Sequence, residues 1–293
     1  MKKKIEKRGF TIVELLTVMS IIVILISLLI PSLNAVRRYS KVVRQKGQFH
    51  DLGKGLEMFS IDFDGYPDSS RYDIDKAFYC GAMKMCEAMV GQDGLGFHPD
   101  SRFDDMGQDE NKEDLYFNRI TPTPEPPYSP QEEENLRARK LPYIENIDIC
   151  SLKTLFRNVV GDFDQDCVVL CDVFSRSQLQ AKTGKRVGMP VLYYKADSSK
   201  LEHDPNGFPD VSRNIYDVFD NYDLTRINPV WEPTTTHPLY ELGGVQGEVF
   251  YQITKDPAVE VIDKPHNTET YILLSAGWDG LYGTSDDIFN FTD

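Results

Sequence analysis

Hydrophobic residues follow different patterns along this chain, and each pattern predicts a different element. Residues 12–30, from Ile12 through Glu14 to Ile30, contain 15 apolar positions out of 19, with Glu14 as the single charge. A run that is apolar on every side suits a helix in hydrocarbon, and at 1.5 Å per residue it is about 28 Å long, close to a bilayer's roughly 30 Å core. Further on, Phe49, Leu52, Leu56, Phe59 and Phe63 recur at intervals of three and four. That spacing predicts an amphipathic continuation of the helix over 32–63, with one apolar stripe for a sheet to cover. Gly53 and Gly55 each cost the helix about 1 kcal/mol relative to Ala; they allow a close backbone approach or are simply tolerated. Asp64-Gly65-Tyr66-Pro67 supplies turn chemistry to end it.

A third pattern is a set of short apolar runs rich in β-branched and aromatic residues: Val168–Leu170, Met189–Tyr194, Val249–Ile253 and Tyr271–Leu274. Bounded by Gly, Pro, Asp or Asn, they read as strands of an antiparallel sheet packed on the helix. Between stripe and strands, residues 68–149 show no simple sheet pattern. A short helix fits 73–91, five prolines fall within 121–130, and Ser129-Pro130-Gln131-Glu132 has the form of a capped helix start. This stretch is expected to be a surface insertion. The predicted fold class is α+β: a long N-terminal helix on a small C-terminal antiparallel sheet, with a large irregular insertion. Its segments are 1–9, 10–31, 32–66, 67–160 and 161–293.

Charge changes the picture in three places. The 293 residues carry a net −14, which argues against nucleic acid as a partner. Residues 2–8 hold five positive charges and one negative, so the start of the chain is expected to stay in the cytoplasm and the rest to face outward. Arg37, Arg38, Lys41, Arg44 and Lys46 form a second basic run, a partner for lipid headgroups or acidic neighbours, or a solvated helix face. Residues 99–114 are acidic, with seven carboxylates against Arg102 and Lys112. Cys80, Cys86, Cys150, Cys167 and Cys171 would lie in a compartment that permits disulfides, but sequence does not choose the pairs. The five histidines are scattered and no Cys-x-x-Cys occurs, which argues against zinc. No nucleophile-elbow, metalloprotease, P-loop or dinucleotide motif is present, so the chain is not expected to be an enzyme.

Three readings of the N-terminus compete. A secretory signal peptide has a shorter apolar core and a small-residue cleavage site, which Pro31-Ser32-Leu33-Asn34-Ala35 does not offer. A plain signal anchor fits the length but leaves Glu14 unexplained, because an intramembrane carboxylate costs roughly 2.5–3.5 kcal/mol and is usually functional. The third reading is a resemblance. Lys7-Arg8-Gly9-Phe10-Thr11-Ile12-Val13-Glu14-Leu15-Leu16 resembles the processing site of type IV prepilins and type II secretion pseudopilins.

That resemblance implies cleavage after Gly9 by a prepilin peptidase, methylation of the new N-terminal Phe10, and a helix-bending role for Pro31. It implies that Glu14 pairs with the Phe10 amine of a neighbouring subunit, coupling processing to assembly. Removing a leader of +4 from −14 leaves −18 for the processed chain. The implied protein is a structural subunit of a secretion pseudopilus or pilus-like filament with a pilin-like lollipop shape. Before assembly it would sit in the bacterial inner membrane as a single-pass protein with a periplasmic head. Its partners would be the peptidase, other pilin or pseudopilin subunits, an inner-membrane assembly platform and membrane lipid. The alternatives are a minor, tip or adhesive pilin, and a membrane-tethered binding module or enzyme.

Two acidic segments invite a calcium reading. Residues 275–288 offer Asp279, Asp286 and Asp287, with Ser275 and Leu281 as further oxygen donors and Gly277, Gly280 and Gly283 to bend the chain. They resemble the calcium loop of the major pseudopilin, and calcium (Ca2+) is the cofactor this implies; an acidic hairpin using its Asp and Gly residues for turns is the alternative. Asp172-Val173-Phe174 followed by Pro190–Tyr194 loosely resembles a hairpin of the same family. Asp162, Asp164 and Asp166 begin like an EF-hand but have Cys167 and Val173 where that loop needs Gly and Glu.

Overall fold

A computed structural model describes residues 11–117, 126–145, 147–152, 167–175, 187–204, 212–226, 236–239, 247–259 and 263–291. It is α+β, with two compact units: residues up to Val43, and Arg44–Asp293.

The first unit is helical. Helix α1 spans Ile12–Phe63 without interruption at Pro31. Residues 11–40 are exposed throughout, and α1 is long and apolar enough to cross a membrane. Thr11 and Glu14 close a capping box at its start: the Thr11 amide and hydroxyl donate to Glu14 Oε2 at 2.9 and 2.8 Å, and the Glu14 amide donates to Thr11 Oγ1 at 3.2 Å.

In the second unit the rest of α1 buries Gln45, Phe49, Leu52, Gly55, Leu56 and Phe59. The stripe therefore forms as its spacing predicts, with Phe63 at its half-buried edge. Asp64, in the left-handed region at φ 55°, ends the helix. Much of the stripe's cover comes from the segment expected to be a surface insertion, and this corrects the sequence reading. A Cβ on Gly55 would stand 2.8 Å from Ile144 and 2.9 Å from the Met89 sulfur, so its glycine permits a close approach. Phe59 packs edge-on against Phe97 and Tyr143.

Helix α2, Gly81–Val90, buries all ten of its residues. It starts without a side-chain cap of its own; Asn221, far along the chain, accepts from the Ala82 amide and donates to the Tyr193 carbonyl. Helix α3, Pro130–Ala138, has the expected capping box of Ser129 and Glu132 and buries nothing.

Strands β1, Ile149–Ser151, and β2, Val168–Leu170, pair antiparallel. Strands β3, Leu192–Lys195, β4, Tyr271–Ser275, and β5, Ile288–Phe289, form a second antiparallel sheet with β4 in the middle. A bridge between Cys171 and Pro190 joins the two sheets. All five residues of β4 are buried, so both of its faces are covered. Helix α2 packs on β2 and β3.

A short 3-10 turn, Val218–Asn221, leads into helix α4, Tyr222–Arg226. The run Val249–Ile253, read from sequence as a strand, lies inside helix α5, Glu248–Thr254. Its aromatic residues face the core, and Thr254 Oγ1 bonds back to the Phe250 carbonyl at 2.6 Å. Short buried apolar runs carry no period that separates strand from helix.

Candidate functional site

The helix start and the acidic loop are the two regions to which the sequence assigns chemistry. At the helix start, Gly9 and Phe10 lie outside the described residues, as does the basic leader. Glu14 is exposed and its carboxylate is engaged with Thr11 of the same chain. The apolar half of α1 carries four hydroxyl side chains, and each bonds a carbonyl of its own helix. Thr17 reaches Glu14 and Val13, Ser20 reaches Leu16, Ser27 reaches Ile24 and Ser32 reaches Leu29, at 2.7–3.1 Å. No hydroxyl on this stretch therefore needs water, a condition that hydrocarbon imposes.

The acidic loop connects β4 to β5. Its first turn needs glycine: Gly277 has φ 62°, and a Cβ there would stand 2.1 Å from the Asp286 carbonyl oxygen. The carboxylates then serve as acceptors for loop amides. Asp286 Oδ2 accepts from the Trp278 and Asp279 amides at 2.7 and 3.1 Å, and its Oδ1 accepts from Thr284 Oγ1 at 2.9 Å. Asp279 Oδ1 accepts from the Leu281 amide, and Asp287 Oδ2 from the Gly283 amide. The Leu281 carbonyl accepts from Thr284 Oγ1. Ser275 is buried in β4, and its hydroxyl donates to Asp172 Oδ2 at 2.8 Å.

Three carboxylates close together disturb one another's titration. Burial, with the charges of Asp279 and Asp286 alongside, pushes Asp287 up to about 8. Asp279 is also raised, first by burial and then by Asp286. Burial works on Asp286 in the same direction, but the Thr284 hydroxyl and the amides it accepts hold it below the ordinary range. Asp287 Oδ1 is buried and has no hydrogen-bond partner. Among the described residues, no three or more His, Cys, Asp or Glu side chains are grouped as metal ligands. The loop thus gathers the three expected carboxylates, but most of their oxygens are committed to its own turns.

Tyr282 and Asp172 support this loop, a role that the sequence does not assign to either. Tyr282 is buried, donates from Oη to the Pro190 carbonyl and from its amide to His237 Nδ1, and accepts from the Leu239 amide. Asp172 ties the loop's base to the chain before β3: besides Ser275, it accepts from the Phe174 and Met189 amides at 3.0 and 3.2 Å. Asp162, Asp164 and Asp166 fall outside the described residues. In comparisons with known proteins, no family model, curated protein or solved structure matches this chain.

Proposed function

We propose that this chain is a membrane-stored subunit of a pilin-like filament, cleaved after Gly9 and assembled through α1. The observation that carries the reading is the first half of α1: it is apolar on every side and keeps its hydroxyls bonded within the helix. Over residues 12–36 the only charged side chain is Glu14, at the end next to Phe10. A helix of that composition is stable in lipid or packed among copies of itself, and a carboxylate at its start can recognise the new amine of a neighbour.

The capping box shapes the test, because Glu14→Ala removes the charge and the cap together. Glu14→Gln keeps a side-chain acceptor for the Thr11 amide and removes only the charge. Both variants should be cleaved after Gly9, by mass spectrometry of the N-terminus, and both should be missing from sheared filaments. Normal incorporation of Glu14→Gln would sink the ion pair and leave Glu14 as a helix cap.

We also infer a calcium ion at the acidic loop, held by Asp279, Asp286 and Asp287. Its support is the buried, unpartnered Asp287 Oδ1 beside two further carboxylates. Bound calcium would neutralise their mutual repulsion and tie the two ends of the loop together. Titration calorimetry of the full chain in detergent should give saturable heat and a raised melting temperature with calcium but not in Asp287→Asn. No heat and no upshift would end this assignment.

A further inference from the structure

The head, from Arg44 onward, is strongly acidic. Residues 1–43 hold eight basic and two acidic side chains, so of the chain's net −14 the head carries −20. Two copies of such a head repel each other unless they meet through surfaces of opposite character. One such surface is a groove of about 670 Å³ between the second half of α1 and the β4–β5 hairpin. Phe49, Met58, Tyr271 and Phe289 give it apolar walls, and Lys46, His50 and Lys54 stand along its helical side. Those three recur at every fourth residue and so share one face of α1. Glu57 also lines the groove, but its carboxylate accepts from Tyr66 Oη at 2.6 Å. Lys54 pairs with Asp51 at 3.3 Å, an exposed contact that water weakens.

The opposite character lies at residues 99–114, where seven carboxylates stand against Arg102 and Lys112. Both cations turn to Asp75, at 3.7 and 3.9 Å, while Asp100 and Glu110 are exposed. Among these acids Met106 is 59% exposed. It sits on a turn held from within: the Gly107 amide donates to the Asp104 carbonyl at 3.3 Å, and the Gln108 amide to Asp104 Oδ1 at 2.9 Å. The Leu115 amide closes the turn onto the Gly107 carbonyl at 3.0 Å. An apolar side chain displayed on a fixed turn loses little freedom on binding. Groove and turn belong to different flanks of α1. Gly53 lines the groove and faces Tyr271, whereas Gly55 faces Ile144. The turn is tied to that second flank through Phe103, which stacks on Phe97, whose carbonyl accepts from the Lys140 amide.

We propose that the groove receives the Met106 turn of a second copy of this chain. Met106 fills the apolar groove, and the carboxylates on either side of it, Asp100 and Glu110 among them, meet Lys46 and Lys54. The acidic segment is thereby neutralised by the surface it covers, which offsets the repulsion between two heads of −20. Each copy offers a turn and a groove that are separate surfaces, so the contact repeats head to tail instead of closing as a symmetric pair. The inference rests on the filament reading, in which α1 sets copies side by side, and it names the head surfaces that then join them.

The test places the photo-crosslinking residue p-benzoylphenylalanine at position 106 of the full chain and illuminates cells that express it. Peptide mapping should find position 106 joined to residues 46–58, 271 or 289 of a second copy. Lys46→Glu with Lys54→Glu should abolish that adduct, and adding Asp100→Lys with Glu110→Lys to the same chain should restore it. All four substitutions lie on the surface, so the melting temperature should stay unchanged and a lost adduct reports the contact and not unfolding. An adduct elsewhere on the chain, an adduct only with another protein, no adduct, or one that survives the charge reversal overturns the inference. Recovery of sheared filaments is scored separately. Filaments that form without this adduct overturn the inference alone, whereas the adduct without filaments supports it and ends the filament reading.

Discussion

The apolar half of α1 and the whole of α2 both present hydrophobic residues on every side, yet one is bare and the other is enclosed. Residues 11–40 are exposed throughout, while each of Gly81–Val90 is buried. Their polar residues differ to match. The hydroxyls of α1 bond their own helix, and Glu14 bonds Thr11. Helix α2 instead carries two buried ionisable side chains served by partners outside the helix. Lys84 Nζ donates to Asp68, Ser70 and the Tyr72 carbonyl at 2.6–2.9 Å, and Glu87 accepts from Tyr79, Gln92 and Ser101. A helix bound for lipid has to be self-sufficient in hydrogen bonds, whereas one inside a protein can rely on its neighbours.

Matched substitutions would break that comparison most directly. Met83→Ala should cost the head about 2–5 kcal/mol, a fall in melting temperature of roughly 4–20 °C. Leu25→Ala should leave the melting temperature of the detergent-solubilised chain unchanged. Ile24→Arg, which adds roughly 2.5–3.5 kcal/mol to the cost of insertion, should shift the chain out of the membrane fraction without altering the head's melting. Equal melting losses from Met83→Ala and Leu25→Ala would mean that the first half of α1 is part of the core.

A smaller effect sharpens the contrast from the side of α2. Burial raises the Glu87 carboxyl above its ordinary 4.5, so the folded head holds that proton more tightly than the unfolded chain does. Its contribution is fully present below about 4.5 and is lost as pH rises through the higher folded value. Glu87→Gln keeps the shape and removes the titration. Between pH 4 and pH 7 the wild type should therefore lose a few degrees of melting temperature relative to the variant. Parallel pH profiles would show that Glu87 stays ionised in the core.

Much of α1 is legible in its own residues, because periodicity and apolar length are local properties. The stripe from Phe49 to Phe59 and the stop at Asp64 appear where the spacing and turn residues put them. The Ser129 cap is equally local. Short runs are harder: Val168–Leu170 is a strand and Val249–Ile253 lies in a helix, although both are brief, apolar and β-branched. The neighbours that enclose each run decide between them. In the acidic loop the sequence gathers Asp279, Asp286 and Asp287, but the amides that occupy their oxygens follow from the turns that Gly277, Gly280 and Gly283 make at positive φ.

Lys84, Glu87 and the five cysteines mark the limit of what local pattern can say. Two charges in a ten-residue helix give no local sign of burial, and cysteines dispersed over ninety residues do not show which of them the fold brings near one another. The sequence by itself determined a helix that water cannot solvate, an amphipathic stripe beyond it and a loop rich in carboxylates, since each depends on residues close together in the chain. Only the tertiary structure decided that α2 is interior and that its Lys84 and Glu87 find partners there. Both depend on residues outside the helix, and burying an ionisable group is favourable only once the fold has brought its partner into place.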